Sequence, residues 1–563
     1  MSLVAWTISR KYMLSNHSGF QSVNEAFHTI YHKKFSITLS MILITVLTFI
    51  TSTYLLYPPS LGNDTWRDIN WSLLILKDGK IKIVLSKVHP AAIVPILYSI
   101  LSLMTSLNPV IISCIYGLVY LICLTINVLL ISRMVSGYLK RYDTFTMLFQ
   151  ILALLTIPHV SLWSIGFIPQ ALSVLMILTS LIMIMSRSMR LLAIIPVILT
   201  MTFSHPGQAL IYLGYLAFSS VLLSVVRGKC NEKSRFAKRM NAALLLSFTT
   251  FAIYVTYTIL ITHIIGGYKN IVQASFTALG LEKSALQTFQ KEIMPGNPLA
   301  TALLGYGSIA MLVSLGTIDW LSNVKLEEPL DILREAGLSY GLTLIMLAYI
   351  AGALVTMMDA VRYLGLLGYI MLGAYTGPLF RRLYGQSPGK ILVSFMMLLV
   401  ISGIFFNGTL RVDINPFNSG TYLYIGSPPT WDDRVDVSNI VTLTSSLNTK
   451  ILTDYRTMLM ITNMHLYRNL DNFEEIVYES SYIHNYIFKD HIIKLASMGT
   501  YGFRASKDEI ISFIGRGYYF ILRGGALDKM HLLLNTTEKE LAKMLVKAMN
   551  RPYDSKLKIY TYH

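Results

Sequence analysis

Residues 61–71 read Leu-Gly-Asn-Asp-Thr-Trp-Arg-Asp-Ile-Asn-Trp and directly follow an apolar run at 36–57. Charged residues lie among tryptophans here, in the order Asp64, Trp66, Arg67, Asp68 and Trp71. Tryptophans beside polar residues commonly mark the point where a helix meets lipid headgroups. Alternatively, the acidic groups are held at a membrane surface to catalyse a reaction. The choice depends on the topology of the whole chain.

The composition is that of a membrane protein. Of the 563 residues, 53% are hydrophobic and only 14% are charged, and the mean hydropathy is +0.54, whereas soluble proteins have about 25% charged residues. The formal net charge is +17, but the segment from Asn407 onward is nearly balanced, with 18 Lys/Arg and 16 Asp/Glu. The excess positive charge therefore lies in short loops between apolar runs, as the positive-inside rule predicts. We expect no nucleic-acid partner.

Apolar runs of about membrane-spanning length predict a polytopic α-helical protein with about eleven transmembrane helices. A further run at 90–107 contains two prolines and is interpreted as an interfacial helix, because this assignment places the basic loops together on the cytoplasmic side. The weakest span ends at His205-Pro206. The predicted spans are 36–57, 110–131, 144–160, 167–186, 191–204, 208–226, 241–265, 299–318, 337–357, 360–378 and 391–407.

This topology predicts a multi-pass protein of the cell membrane with a cytoplasmic N-terminus and an external C-terminus. A cytoplasmic segment at 1–35 precedes a transmembrane region at 36–407, which carries a large outer loop at 58–109. The remaining residues, 408–563, are predicted to form an extracytoplasmic α/β domain. Three cysteines lie within or beside hydrophobic segments, so no disulfide framework is expected.

Short patterns in the C-terminal region support the α/β assignment. Residues 450–453 and 518–522 have the composition of strands. Residues 537–549 read as an amphipathic helix that begins at a threonine cap. Residues 557–562 alternate in polarity like an edge strand. The sequence contains no phosphate-binding loop, zinc-ligand spacing or dinucleotide fingerprint.

Four potentially reactive residues are concentrated in the outer loop: Asp64, Arg67, Asp68 and His89. A solvated surface loop is the ordinary explanation for such residues. Here, however, both ends of the loop are fixed at the membrane, by the first span and by the interfacial helix. This arrangement favours a site at the membrane surface.

With His89-Pro90 before the interfacial helix, this loop resembles that of the GT-C superfamily of membrane glycosyltransferases. Asp359-Ala-Val-Arg362-Tyr363, at the outer end of a late span, adds to the resemblance. So do Thr453-Asp-Tyr-Arg-Thr457 and the tail from Asn550 to Tyr560, which is similar to the ending of archaeal members. The resemblance implies a donor sugar on a polyprenyl or dolichyl phosphate, and an acceptor that is a glycan, a lipid or a protein.

Glycosyl transfer requires a base for the acceptor hydroxyl, and we assign this role to Asp64. Asp68, four residues later, either orients the acceptor or shares a divalent cation with Asp64. Arg362 is predicted to bind the donor phosphate, because a guanidinium stays charged and contacts phosphate oxygens in a fork. Alternatively, Arg362 is an interfacial arginine that pairs with Asp359.

Other residues are assigned more general contacts. Arg67 and His89 are expected near the donor phosphate, although His89 could instead order the loop before Pro90. His205 and Tyr363 are expected to contact donor or acceptor. His205 could equally be a histidine at a helix break that backbone carbonyls satisfy.

The sequence departs from one branch of the superfamily. Oligosaccharyltransferases carry a second acidic metal motif in a later outer loop and a Trp-Trp-Asp-Tyr-Gly signature. The loop at 159–168 has no acidic residue, and that signature is absent. The chain is thus more similar to single-sugar transferases such as protein O-mannosyltransferases, and no metal ligand is predicted beyond the cation that Asp64 and Asp68 could share.

The sequence therefore predicts a membrane glycosyltransferase that acts on the outer face of the membrane. Two other classes remain open. A transporter or flippase of lipid-linked saccharides usually carries charges inside its spans, whereas these spans are nearly free of charge. A non-catalytic protein that assembles surface polymers is the third alternative.

Overall fold

A computed structural model provides the structure of the chain. It describes residues 64–80, 93–135, 167–186, 191–225, 231–266, 312–321, 329–350, 358–376, 448–453, 455–480, 483–497, 518–523, 550–554 and 557–561, together with a few isolated residues between these ranges. The predicted span 36–57, nearly all of 144–160, and the predicted helix 537–549 lie outside the described residues.

Helices make up the described part of the chain before residue 400, as expected for segments that must satisfy their backbone hydrogen bonds internally in lipid. One further helix lies in the C-terminal region. In chain order they are α1 (Asp64–Asp78), α2 (Ile93–Thr105), α3 (Pro109–Val135), α4 (Pro169–Met185), α5 (Ile194–Ser204), α6 (Pro206–Val225), α7 (Asn231–Gly266), α8 (Leu312–Leu321), α9 (Pro329–Ile350), α10 (Met358–Tyr375) and α11 (Tyr455–Arg468).

Among the described residues, three helical segments are long and apolar enough to cross a membrane: Pro109–Ser132, Pro206–Val225 and Phe236–Thr258. They coincide with three of the predicted spans. The helices α2, α4, α5 and α8 are apolar but shorter. The total of eleven spans, and the interfacial position of α2, stay predictions.

The predicted span 191–204, the weakest of the eleven, is helical within the predicted bounds and is short. A 3-10 turn at Leu191–Ala193 precedes α5, which has only 11 residues. At about 1.5 Å per residue, α5 is roughly 16 Å long, about half the thickness of a bilayer's hydrocarbon core. It ends because His205 is extended, with φ −152° and ψ 95°, and Pro206 begins the next helix.

The helices α9 and α10 pack with their backbones in contact. A Cβ atom added to Gly368 would lie 2.8 Å from the backbone oxygen of Gly341, and one added to Gly341 would lie 3.2 Å from that of Gly368. Small residues at such crossings are typical of helix pairs in membranes. The ring of Tyr375, on α10, also packs closely against α9, because it lies where a Cβ atom of Gly337 would be.

A buried ionic cluster joins α8 to α9. Arg334 pairs with Asp319 in a short contact and with Glu335 at 3.5 Å, and all three side chains are buried. All three residues lie between the predicted spans 299–318 and 337–357. The helices α8 and α9 bring their charges together inside the protein.

The described C-terminal residues form a seven-stranded mixed sheet. Its strands are β1 (Thr449–Thr453), β2 (Phe473–Ser480), β3 (Ile483–Phe488), β4 (Ile492–Ser497), β5 (Tyr519–Arg523), β6 (Asn550–Asp554) and β7 (Leu557–Thr561). They are ordered β2-β3-β4-β1-β5-β7-β6, and β1 is parallel to both β4 and β5. The strands predicted at 450–453 and 518–522 are confirmed to within one residue.

The assignment of 557–562 as an edge strand was wrong. The strand β7 pairs with β5 on one side and with β6 on the other. The edge strand on this side of the sheet is β6, which contains Pro552. A proline has no backbone N–H to donate to a neighbouring strand, so within sheets it is found on edge strands. Alternating polarity indicates one buried face of a strand and does not reveal how many neighbours the strand has.

Candidate functional site

The charged residues of the stretch 61–71 lie in the helix α1 (Asp64–Asp78). It contains no glycine or proline, and Lys77 in its last turn is favourably placed for the helix dipole. The helix ends at Gly79, whose left-handed φ of 62° allows its amide to donate to the Ile75 carbonyl at 2.8 Å. Asp64 and Asp68 are therefore one helical turn apart, as the sequence analysis anticipated.

One side of α1 binds α2 and the segment before α4. The Thr65 hydroxyl donates to the Phe167 carbonyl at 3.2 Å, and the Tyr98 hydroxyl of α2 donates to the same carbonyl at 3.2 Å. Farther along, the hydroxyls of Ser72 and Ser99 lie 3.0 Å apart. These bonds fix α1 to α2 and to the segment before α4.

The other side of α1 binds the C-terminal region. The amide of Asn70 donates to both the backbone and side-chain oxygens of Asn463, at 3.1 and 3.2 Å. Trp66 meets Tyr467 edge to face, with ring centroids 5.5 Å apart. Lys77 donates to the carbonyls of Leu470 and Asp471. The acidic helix is thus enclosed between two parts of the protein.

The tryptophans of α1 are packed in protein. Trp66 is 1% exposed and Trp71 is 7% exposed. Their indole rings therefore contact protein, and their depth relative to the lipid headgroups stays a prediction. An indole that fills a contact between helices looks identical, in sequence, to one that lies at a membrane surface.

The charged pair of α1 has a defined geometry. Two guanidinium nitrogens of Arg67 lie 3.3 Å from one carboxylate oxygen of Asp68, and the guanidinium also lies 4.8 Å above the ring of Trp71. The side chain of Asp68 is 1% exposed, while that of Arg67 is 24% exposed. Asp68 and Trp71 therefore hold a cation that still reaches the surface.

The other predicted residues are located as follows. Asp64 is the first residue of α1, and Arg362 and Tyr363 lie near the start of α10; the directions of their side chains lie outside the description. His89 lies outside the described residues altogether. The structure therefore places Arg67 and Asp68 in contact and leaves the meeting of Asp64 with Arg362 as a prediction.

His205 has a structural role. Its Nδ1 accepts a hydrogen bond from the backbone amide of Gln208 at 3.2 Å, which caps the first turn of α6. The alternative of a helix-break histidine thus agrees with the structure, although the partner is a backbone amide and not a carbonyl.

Two buried amides were missed by the sequence analysis. Gln170 and Gln208 lie near the starts of α4 and α6 and are buried, and each side-chain nitrogen lacks a hydrogen-bond partner among the described residues. The only signal in the sequence is a glutamine within two residues of a proline at the beginning of an apolar run. Such a glutamine is equally common at an exposed helix start.

One carboxylate oxygen of Asp68 accepts hydrogen bonds from Arg67. The side chain of Asp64 lies outside the description, so a divalent cation shared by Asp64 and Asp68 stays a prediction. In the part of the chain that the structure describes, no three His, Cys, Asp or Glu residues are grouped to hold a metal ion. We therefore assign no step to a metal.

Comparison with known proteins reveals a similarity of fold. No family model and no curated protein matches the sequence. The solved structures that match include three of an oligosaccharyltransferase from Archaeoglobus fulgidus. The apo form gives a TM-score of 0.48 at 10% identity and covers 78% of this chain and 64% of that one.

The other two matches are complexes of that protein. AglB with an inhibitory peptide and a dolichol-phosphate gives a TM-score of 0.50 at 11% identity, over 77% of this chain and 64% of that one. The form tethered to an acceptor peptide containing the NVT sequon by a disulfide gives 0.51 at 11% identity, over 95% and 75%. This chain thus spans about two thirds to three quarters of that protein and has a similar fold.

Proposed function

We propose that the chain is a membrane glycosyltransferase that moves a sugar from a polyprenyl or dolichyl phosphate to an acceptor on the outer face of the membrane. The observation that carries the proposal is α1, an acidic helix fixed between the membrane helices and the C-terminal sheet region. The similarity of fold to a protein solved with dolichol-phosphate supports the class of donor.

In the proposed mechanism, an acceptor oxygen attacks the anomeric carbon of the sugar while the bond from that carbon to the phosphate oxygen breaks. Asp64 takes the acceptor proton as general base. Asp68 is paired with Arg67 and therefore positions that guanidinium and does not accept the proton. The polyprenyl phosphate leaves as an anion.

The negative charge on the leaving phosphate requires cationic groups. Arg362 is proposed to contact it in a forked arrangement. Arg67, which is held by Asp68 and Trp71 and partly exposed, supplies a second positive charge. His89 and Tyr363 complete the proposed donor contacts. His205 is left out, because its described bond caps α6.

We propose a donor that carries one sugar on a monophosphate, since the loop at 159–168 lacks an acidic residue and the Trp-Trp-Asp-Tyr-Gly signature is absent. Transfer of a whole oligosaccharide is the second candidate, because the chain is similar in fold to solved structures of an oligosaccharyltransferase. Dolichyl-phosphate monosaccharides and dolichyl-diphosphate oligosaccharides, offered separately as radiolabelled donors, distinguish the two.

The test of the proposal is sugar transfer by membranes with and without the protein. We expect labelled product only when the wild-type chain is present. Asp64→Asn removes the base without changing the size of the side chain, and transfer should fall by about 10²- to 10⁴-fold. Full activity of Asp64→Asn would remove the assignment of the base. Absence of transfer with every donor would contradict the proposed function.

A further inference from the structure

The residues of α1 that contact the C-terminal region lie on one stripe of the helix. Trp66, Asn70 and Lys77 are separated by four and seven residues, which is the spacing of one helical face. Leu74, which is buried, lies between the last two on the same face. Trp66, Asn70 and Lys77 therefore define the face of α1 that packs against the C-terminal region.

The contacts on this face are exposed at one end of the helix and buried toward the other. Lys77, at the far end, makes exposed bonds to two carbonyls, and an exposed bond of this kind stabilises little. Asn70 and Asn463 are fully buried, with 0% and 4% exposure. Because a buried amide that loses its partner costs about 1–3 kcal/mol, the end of α1 nearest the carboxylates is the more strongly fixed.

Two distinct sets of contacts therefore determine where Asp64 and Asp68 lie. The segment before α4 holds α1 through Thr65, and α2 holds it through Ser72. The helix α11 holds the opposite face through Asn463 and Tyr467. Since Thr65, Trp66 and Asn70 all lie within two turns of Asp64, any movement of α11 is transmitted to the carboxylates.

We infer that Asn463 and Tyr467 of the C-terminal region are positioning residues for the sugar-transfer reaction. This inference rests on the proposed function. The C-terminal region acts through α1: Asn463 anchors Asn70, and Tyr467 packs against Trp66. A misplacement of about 1 Å at a reacting group can reduce the rate about 10²-fold, so loss of these contacts lowers the rate of the chemical step.

The chain provides a graded set of variants. Asn70→Ala removes both hydrogen bonds, whereas Asn463→Ala removes only the one to the side-chain oxygen. Tyr467→Leu removes the aromatic edge, and Tyr467→Phe retains it. The matched control is Arg468→Ala, at the next position of α11, because Arg468 contacts Ser438 and Thr442 and makes no described contact with α1.

The first measurement is the kinetics of transfer by the purified full-length chain. We expect kcat to fall about 10- to 100-fold in Asn70→Ala, less in Asn463→Ala, and to recover in Tyr467→Phe relative to Tyr467→Leu. The loss in kcat should exceed any rise in the apparent donor KM, because the proposed phosphate contact of Arg362 lies on α10 and is unchanged, although Arg67 moves with α1. Equal losses in Arg468→Ala, or a wild-type kcat in Asn70→Ala, would overturn the inference while the proposed function remained.

The second measurement does not need activity. Amide hydrogen exchange at residues 64–72 of the full-length chain should accelerate at least several-fold in Asn70→Ala and Tyr467→Leu, and remain unchanged in Arg468→Ala. Unchanged exchange in the first two variants would overturn the inference whatever the activity. If exchange accelerates in these variants but the wild-type chain transfers no sugar with any donor, the mechanical link is retained and the proposed function is contradicted.

Discussion

Asn70 and Asn463 are 393 positions apart in the chain, and the side chain of the first donates two hydrogen bonds to the second. The contact requires both residues to lie on the same side of the membrane. The topology read from the sequence places the loop 58–109 and the region 408–563 outside, so this part of the prediction agrees with the structure. The direction, with the N-terminus in the cytoplasm, stays a prediction.

Labelling in whole cells tests that direction. Lys77→Cys and Asp471→Cys introduce thiols at exposed positions on the two sides of this contact. In a background without the three native cysteines, we expect both to react with a membrane-impermeant maleimide added outside. The control is a separate variant that keeps only Cys230, in a predicted cytoplasmic loop. Its thiol should react only after the membrane is permeabilised. The reverse pattern would place the site in the cytoplasm.

Donor binding should depend on Arg362. Arg362→Ala removes a charge-assisted contact to phosphate, which is worth roughly 1.5–3 kcal/mol, and the apparent donor KM should rise about 10- to 100-fold. Arg362→Lys keeps the charge without the fork and should lie between. Kinetics at varied donor concentration measure both. An unchanged KM in Arg362→Ala would return this residue to the role of an interfacial anchor.

The close packing of α9 and α10 should be sensitive to one methyl group. Gly368→Ala places a Cβ atom 2.8 Å from the Gly341 oxygen, and such overpacking costs about 1–3 kcal/mol. The control is Gly373→Ala in the same helix, where nothing lies within 4 Å of the added atom. We expect a lower Tm only for Gly368→Ala, measured in detergent. Equal Tm values would contradict the backbone contact.

The buried ionic cluster predicts a large cost for removing its cation. Arg334→Leu leaves Asp319 and Glu335 buried without their described partner, and the loss of one member of a buried pair costs about 3–5 kcal/mol. We expect a strongly reduced Tm and a low yield of folded protein. Adding Asp319→Asn to Arg334→Leu removes one of the two charges and should restore part of the loss. A wild-type Tm in Arg334→Leu would show that the cluster is exposed to water.

Part of this structure could be predicted because local sequence determines it. The helices α3, α6 and α7 follow from apolar runs, since backbone groups in lipid must bond within a helix. The strands β1 and β5 follow from short runs of apolar residues. The GT-C fold was expected from the resemblance of motifs around Asp64, His89 and Arg362, and the fold of the chain is similar to that of an archaeal oligosaccharyltransferase.

The burial of α1 could not be predicted, because its sequence is half polar. Asn70 looks like a surface residue until Asn463, which lies 393 positions later in the chain, is seen beside it. The same holds for Arg334, whose partner Asp319 lies on another helix. In each case a polar residue is buried because a distant segment satisfies it, and no local pattern encodes that meeting.

The C-terminal region should lose stability in mild acid. Burial, together with the charges of His491 and Arg468, lowers the pKa of His465 from 6.5 to about 3. The ring of His491 lies 6.4 Å away, and burial lowers its pKa as well, although Asp490 opposes the shift. Below pH 6.5 the unfolded chain binds protons at these positions that the folded chain does not. The free energy of unfolding should therefore be unaffected above pH 6.5 and fall below it.

For His465 alone, the expected slope approaches 1.4 kcal/mol per pH unit between pH 6.5 and about 3. Thermal unfolding of the full-length chain between pH 7.5 and 5 measures it. In His465→Gln, which cannot be protonated in this range, the fall in Tm should be smaller, and in His465→Gln with His491→Gln smaller still. Carboxylates titrate alike in all three proteins and so cancel in the comparison. Parallel curves for the wild type and the double variant would assign the acid sensitivity to other groups.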